Sequence, residues 1–176
     1  MKNNIDQYRK IFAKISSQIP KGVIGITSVN NCKTSQIAME LAKTMAKVKK
    51  VLLIDLDNDT LNQKEFANIN DLLNKDGKFL MDENIARLNF TKSDDVDIFL
   101  ENKDFLDLIN KARDDYDIII INEKSLDYSQ AYFTKDIEDG KILVVKEGKT
   151  YKKDLKLAVK EIKKLGFEFL GVIYYR

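Results

Sequence analysis

Apolar residues fall along this chain in two alternating patterns. Short uninterrupted runs, Gly22–Thr27, Val51–Ile54, Ile118–Ile121, Ile142–Val145 and Leu170–Tyr174, are rich in β-branched side chains. Such runs predict strands buried on both faces. Elsewhere apolar positions recur every three or four residues. Ile5, Tyr8, Ile11, Phe12, Ile15 and Ile19 predict an N-terminal helix that Pro20 stops. Ile37, Ala38, Leu41, Met45 and Val48 predict a second helix from Thr34 to Val48, and a third helical stretch lies near Asp104–Arg113. Leu155, Ala158, Val159, Ile162 and Leu165 form one stripe of Tyr151–Leu165, with lysines around the rest. Buried strands separated by amphipathic helices predict a three-layer α/β/α domain on a mainly parallel sheet. Residues 58–93 are less regular, and no repeat or low-complexity linker divides the chain. One domain over residues 1–176 is expected, with residues 1–19 as its N-terminal helix.

Composition narrows the chemistry. The 176 residues include no histidine and one cysteine, Cys32. Catalytic triads, imidazole bases, His-ligated zinc, intrachain disulfides and thiolate clusters are therefore excluded. A lone cysteine fits a reducing interior. No apolar run approaches ~18 residues, and the N-terminus lacks the apolar stretch of a secretory signal. A cytoplasmic chain without a transmembrane span is expected. The net charge of +2 hides a segmental split: +8 over residues 1–50, −3 over 51–93, −9 over 94–140 and +6 over 141–176. That asymmetry marks either a polyanion-binding end with an acidic contact face or a lysine-rich solvated surface.

In an open α/β sheet the ligand sits at the carboxyl ends of the strands. The segment after the first strand, Thr27-Ser-Val-Asn-Asn-Cys-Lys-Thr34, opens into a helix. A phosphate-binding loop reads G-x-x-x-x-G-K-[ST], its amides cradling phosphate, its lysine neutralising charge and its hydroxyl holding magnesium. Lys33 and Thr34 stand at that spacing, but Thr27 and Cys32 occupy the two glycine places. Asn30 and Asn31 offset part of that loss, because asparagine enters the left-handed region more readily than most residues. Downstream, Asp55 and Asp57 close the second strand, either as magnesium-directed carboxylates or as a solvated turn.

The order strand, Lys-Thr loop, helix, then Val51-Leu-Leu-Ile-Asp-Leu-Asp57 resembles the bacterial tyrosine kinases of capsule and exopolysaccharide synthesis. These belong to the P-loop ATPase group that includes MinD and ParA. The likeness spans nearly the whole chain. Asp6-Gln-Tyr-Arg-Lys-Ile-Phe12 is similar to the family's N-terminal oligomerisation motif E-x-x-R-x-x-R. Glu83–Leu88 resembles a family strand, Phe105–Ile121 the helix and strand leading to the Walker B aspartate, and Asp139–Val145 and Leu165–Ile173 the closing strands. The resemblance implies that Asn30, Asn31, Cys32, Lys33 and Thr34 bind the phosphates of ATP or ADP. It implies that Thr34 and Asp55 hold magnesium, that Asp55 and Asp57 serve catalysis in an active enzyme, and that Asp6 and Arg9 serve oligomerisation.

The departures from the family pattern cluster at that site. Asn122 stands where the family carries its Walker B aspartate, and Glu123-Lys-Ser125 replaces the following Thr-Pro-Pro. Asp59 replaces an arginine, and Phe12 the second arginine of the N-terminal motif. Tyr174 and Tyr175 read as strand residues, not as a phospho-acceptor cluster. A degenerate, non-catalytic or weakly nucleotide-binding regulatory component of polysaccharide biosynthesis or export is expected, with binding of ATP and magnesium weakened by the altered motifs. Its implied partners are a membrane polysaccharide co-polymerase or a catalytic relative at the inner membrane face, or further copies of itself. The alternatives are an active ATP-dependent tyrosine autokinase and a MinD/ParA-like module for DNA or membrane surfaces. The C-terminal lysine-rich helix lacks interleaved aromatics, which disfavours nucleic acid.

Overall fold

The computed structural model describes residues 2–30, 32, 34–57, 80–82, 85–89, 96–101, 103–126 and 130–175. Helix α1 (Lys2–Gln18) leads into β1 (Gly22–Ser28), α2 (Ser35–Ala46) and β2 (Val51–Asp55). A short hairpin of β3 (Leu80–Asp82) and β4 (Ile85–Asn89) precedes α3 (Val96–Glu101) and α4 (Lys103–Asp115). Then follow β5 (Ile118–Ser125), α5 (Gln130–Phe133), β6 (Gly140–Lys146), α6 (Lys152–Lys164) and β7 (Phe169–Tyr175). The seven strands form one sheet in the order β3-β4-β2-β5-β1-β6-β7, parallel throughout except for β3 at one edge. The expected mainly parallel three-layer architecture is present, and each expected strand and helix outside the masked stretches forms. Glu83 and Asn84 of the expected Glu83–Leu88 strand, and most of 58–93 with Asp59, lie outside the described residues.

Strand parity divides the core into two sides. Ile24, Ile26, Ile118, Ile120, Ile142 and Val144 face one layer, where they meet α1 and α2. Helix α2 buries Ile37, Ala38, Leu41, Ala42 and Met45 there, the three-and-four spacing foreseen from the sequence. Helix α1 adds Ile11 and Ile15 and ends just before Pro20, whose fixed φ and missing N–H exclude helix continuation. The opposite face carries Val23, Ile119 and Ile121 under Phe105, Ile109 and Ala112 of α4. Farther along the same face, Leu143 and Val145 lie under Ala158 and Ile162 of α6. Fully burying one such aliphatic side chain contributes about 1.5–3 kcal/mol, so this two-sided packing is the main source of stability.

Between the α4 and α6 patches the second face holds a polar seam. Lys141, at the start of β6, is fully buried; its Nζ lies 2.5 Å from Glu123 Oε2 and 2.9 Å from Glu138 Oε2. The same ammonium sits 4.1 Å from the centre of the Phe167 ring, and the Thr134 hydroxyl donates to Glu123 Oε1. These contacts explain why β5 runs to Ser125 and not only to Ile121. Glu123 can continue the strand inward because a lysine on β6 meets it. Gly25 of β1 lies against the Glu138 carboxyl group, and a Cβ at position 25 would collide with it.

Two carboxylates against one ammonium leave one negative charge uncompensated. Glu138 accordingly holds its proton well above the ordinary carboxyl range, through burial first and the Glu123 charge second, with Lys141 opposing both. An unfolded chain releases that proton near 4.5. Above that pH the folded state binds the extra proton, so stability falls as pH rises toward the folded value. Urea denaturation between pH 5 and 9 is expected to show this decline, at up to about 1.4 kcal/mol per pH unit. Glu138→Gln should flatten it; a slope unchanged by that substitution would contradict the assignment. Lys141→Met should cost about 3–5 kcal/mol at neutral pH, because it leaves the buried Glu123 carboxylate without its counter-charge.

Candidate functional site

Strand order places β2 between β4 and β5, and the register sets Asp55 beside Asn122 on one side and Asn89 on the other. Asp55 closes a strand buried along its whole length and is itself only 2% exposed. A carboxylate at that depth needs partners from its own chain. Its Oδ1 accepts hydrogen bonds from Asn122 Nδ2 at 2.7 Å, from the Ser35 hydroxyl at 3.1 Å and from the Asp57 N–H at 3.2 Å. Ser35, the first residue of α2, lies 3.0 Å from the Asp57 carbonyl and accepts from Asn122 Nδ2 at 3.2 Å. On the other side, Oδ2 faces the Arg87 guanidinium of β4 at 3.9 Å. Burial pushes the Asp55 carboxyl above its ordinary range, against the pull of the Asn122, Ser35 and Asp57 hydrogen bonds and the Arg87 charge.

The loop between β1 and α2 turns inward. Asn30 takes φ of 60°, the left-handed conformation that asparagine tolerates, and its Nδ2 lies 3.4 Å from the Lys149 carbonyl. Cys32 is buried; its N–H donates to the Ser28 hydroxyl at 3.1 Å and its thiol to the Val29 carbonyl at 3.1 Å. Tyr175, at the end of β7, hydrogen-bonds Cys32, and its phenol is pushed up to about 12 by burial first and by that neighbour second. The Cys32 amide is thus engaged within the loop. Asn31 and Lys33 lie outside the described residues. Thr34 precedes α2 and is fully buried, and its hydroxyl has no hydrogen-bond partner among the described residues. A cleft of about 520 Å³ opens beside the loop, between Ser28–Asn30, Leu126 and α6.

Of the residues singled out from the sequence, Thr34, Asp55 and Asp57 come together at the carboxyl edge of β2, around Ser35. Asp6 and Arg9 are elsewhere, 4.0 Å apart on the solvent side of α1 and each 70% exposed. Ser35 and Arg87 are central to the arrangement, yet no motif pointed to them. Ser35 adjoins a recognisable Lys-Thr pair, and Arg87 interrupts the apolar run Ile85–Leu88, which is the signal that could have found it. Among the described residues no group of three or more acidic or cysteine side chains could enclose a metal ion, and no helix is long and apolar enough to cross a membrane.

No protein-family model matches the chain, and no curated protein sequence does. Solved structures match closely in shape. The VpsO kinase domain aligns with a TM-score of 0.78 at 19% identity, covering 99% of this chain and 98% of that one. The kinase domain of Escherichia coli tyrosine kinase ETK aligns with a TM-score of 0.70 at 17% identity, covering 93% and 69%. The fold is that of the bacterial tyrosine-kinase domains. A further match in shape is MinD from Pyrococcus horikoshii OT3, solved with Mg-ADP, with a TM-score of 0.60 at 20% identity, covering 87% of this chain and 69% of that one. At these identities the likeness speaks for the fold, and the side chains must speak for the chemistry.

The Asp55 cage makes one sharp demand on position 122. An amide donor there stabilises the buried carboxylate, whereas a second carboxylate would repel it. Asn122→Asp is expected to lose about 1–3 kcal/mol at pH 8 and to recover toward pH 5, as the pair takes up a shared proton. Chemical denaturation at the two pH values checks this, and equal losses at both would contradict it.

Proposed function

We propose that this chain is a P-loop domain of the capsule-type tyrosine-kinase kind that acts by binding and not by phosphoryl transfer. The observation that carries this proposal is the self-sufficient cage around Asp55. Magnesium seeks several hard oxygen ligands in octahedral array and is held by net negative charge. Here Asp55 Oδ1 already takes three donors, Oδ2 faces a guanidinium, and position 122 presents an amide nitrogen toward the carboxylate. That set does not fit a magnesium ion. The engaged Cys32 amide and the absent loop glycines weaken phosphate binding in the same direction. Removing a single preorganised electrostatic group commonly costs 10²–10³ in rate, so several removed together predict no useful turnover.

The domain would serve as an interaction component of polysaccharide synthesis or export, at the cytoplasmic face of a membrane co-polymerase or beside a catalytic relative. One observation favours a second possibility, weak nucleotide binding: the buried Thr34 hydroxyl, without a hydrogen-bond partner among the described residues, stands where a phosphate-loop threonine would meet a ligand. Thermal unfolding with millimolar ATP and magnesium separates the two. A bound ligand at a hundred times its Kd would stabilise by about 2.7 kcal/mol. The expected result is no shift, equal for wild type and Lys33→Ala, and no phosphotyrosine after incubation with labelled ATP. A magnesium-dependent stabilisation that Lys33→Ala abolishes would establish nucleotide binding, and labelled phosphotyrosine would overturn the non-catalytic assignment.

A further inference from the structure

The face of the sheet covered by α4, α5 and α6 is divided by charge. Residues 96–115 carry six acidic and three basic side chains: Asp97 and Glu101 on α3, and four acidic with all three basic residues on α4. Residues 152–164, the whole of α6, carry six lysines against Asp154 and Glu161. On α4 the outward positions include Asp107 and Asp114, seven residues apart, and on α6 they include Lys153 and Lys160, with the same spacing. Both helices are 13 residues long, and both run back from the carboxyl edge of the parallel strands, so they lie parallel on one face. Across this face, exposed apolar side chains connect the two charged zones: Leu106 on α4 at 43% exposure, Tyr132 on α5 at 52% and Leu157 on α6 at 63%. Leu157 also borders the 520 Å³ cleft, whose lining includes the apolar Val29, Leu126 and Ala158 and, from α6, Lys160 and Lys164 with Asp154 and Glu161.

We propose that this face is a self-complementary docking surface for a second copy of the chain. Face-to-face pairing of identical surfaces requires a two-fold axis lying in the plane between them. An axis across the strands would stack α6, with six lysines against two acids, on the partner's α6, which like-charge repulsion opposes. An axis along the strands, near Tyr132, sets each α4 over the partner's α6 at the same height. Leu106 then meets Leu157 and the apolar lining of the cleft on the other copy, and this contact occurs twice. The surface is distinct from α1, where the Asp6–Arg9 pair lies.

The full chain tests this by light scattering coupled to size exclusion. At low salt a mass near twice 20.3 kDa is expected, falling toward the monomer as salt screens the exposed charges. Lys153→Glu with Lys160→Glu, and separately Asp107→Lys with Asp114→Lys, should each give monomers of unchanged circular dichroism. Mixing the two variants in equal amounts should restore the dimer, because every facing pair is then opposite in sign. Leu106→Lys should weaken the wild-type dimer at least about tenfold. A wild type that stays monomeric at low salt, a mixture that stays monomeric, or a dimer lost only through Asp6→Ala and Arg9→Ala would each overturn the proposal.

Discussion

A parallel sheet covered on both faces gives its central strands no access to water, so any charge they carry must be compensated from within the chain. Most of this protein's distinctive features follow from that requirement. Asp55, on the strand between β4 and β5, is met by an amide, a hydroxyl, a backbone N–H and a guanidinium. Glu123, on the adjoining strand, is met by Lys141 and Thr134. Burial without such partners would cost several kcal/mol per ion, comparable with the whole net stability of a domain this size. The aliphatic core makes the sheet, and the sheet then dictates where polar side chains survive.

The same requirement connects structure to function. In a metal-dependent phosphoryl-transfer site, the carboxylates at the strand ends are kept short of partners so that an ion can complete them. Here the partners are supplied by the protein, and Asp55 is held by fixed bonds to α2, β4 and β5. The result is a strand edge that is rigid and electrically balanced. The proposed binding role draws on that balance, and among the described residues α6 alone adds six lysines on the outside of the sheet.

Periodicity made the fold legible. Apolar runs for β1, β2, β5, β6 and β7 and the three-and-four spacing of α1, α2 and α6 are local properties of the sequence, and each formed. The hairpin strand β3 and the short helices α3 and α5 were not legible, because segments of three to six residues carry too few positions to display a period. At the candidate site the sequence revealed Asp55, at the end of β2, and Asn122, which it placed at a strand end although β5 continues to Ser125; both lie near the edge on which strand ends in this architecture converge. It did not reveal Ser35 and Arg87, whose roles depend on the sheet register and on where α2 begins. Lys141 was a missed signal of another sort: a lysine followed by Ile-Leu-Val-Val is improbable in a buried strand unless a carboxylate awaits it.

The close approach of Gly25 to the Glu138 carboxyl group also constrains how this sequence can change over generations. While Glu138 is present, a side chain at position 25 has no room. If Glu138 shrinks first, Lys141 loses one of its two carboxyl partners and a void opens over Gly25, which an alanine there would then help to fill. The same substitution at position 25 is therefore harmful in one background and helpful in the other. The two positions are thus coupled, and a side chain at 25 is tolerated only after the carboxyl group at 138 is withdrawn.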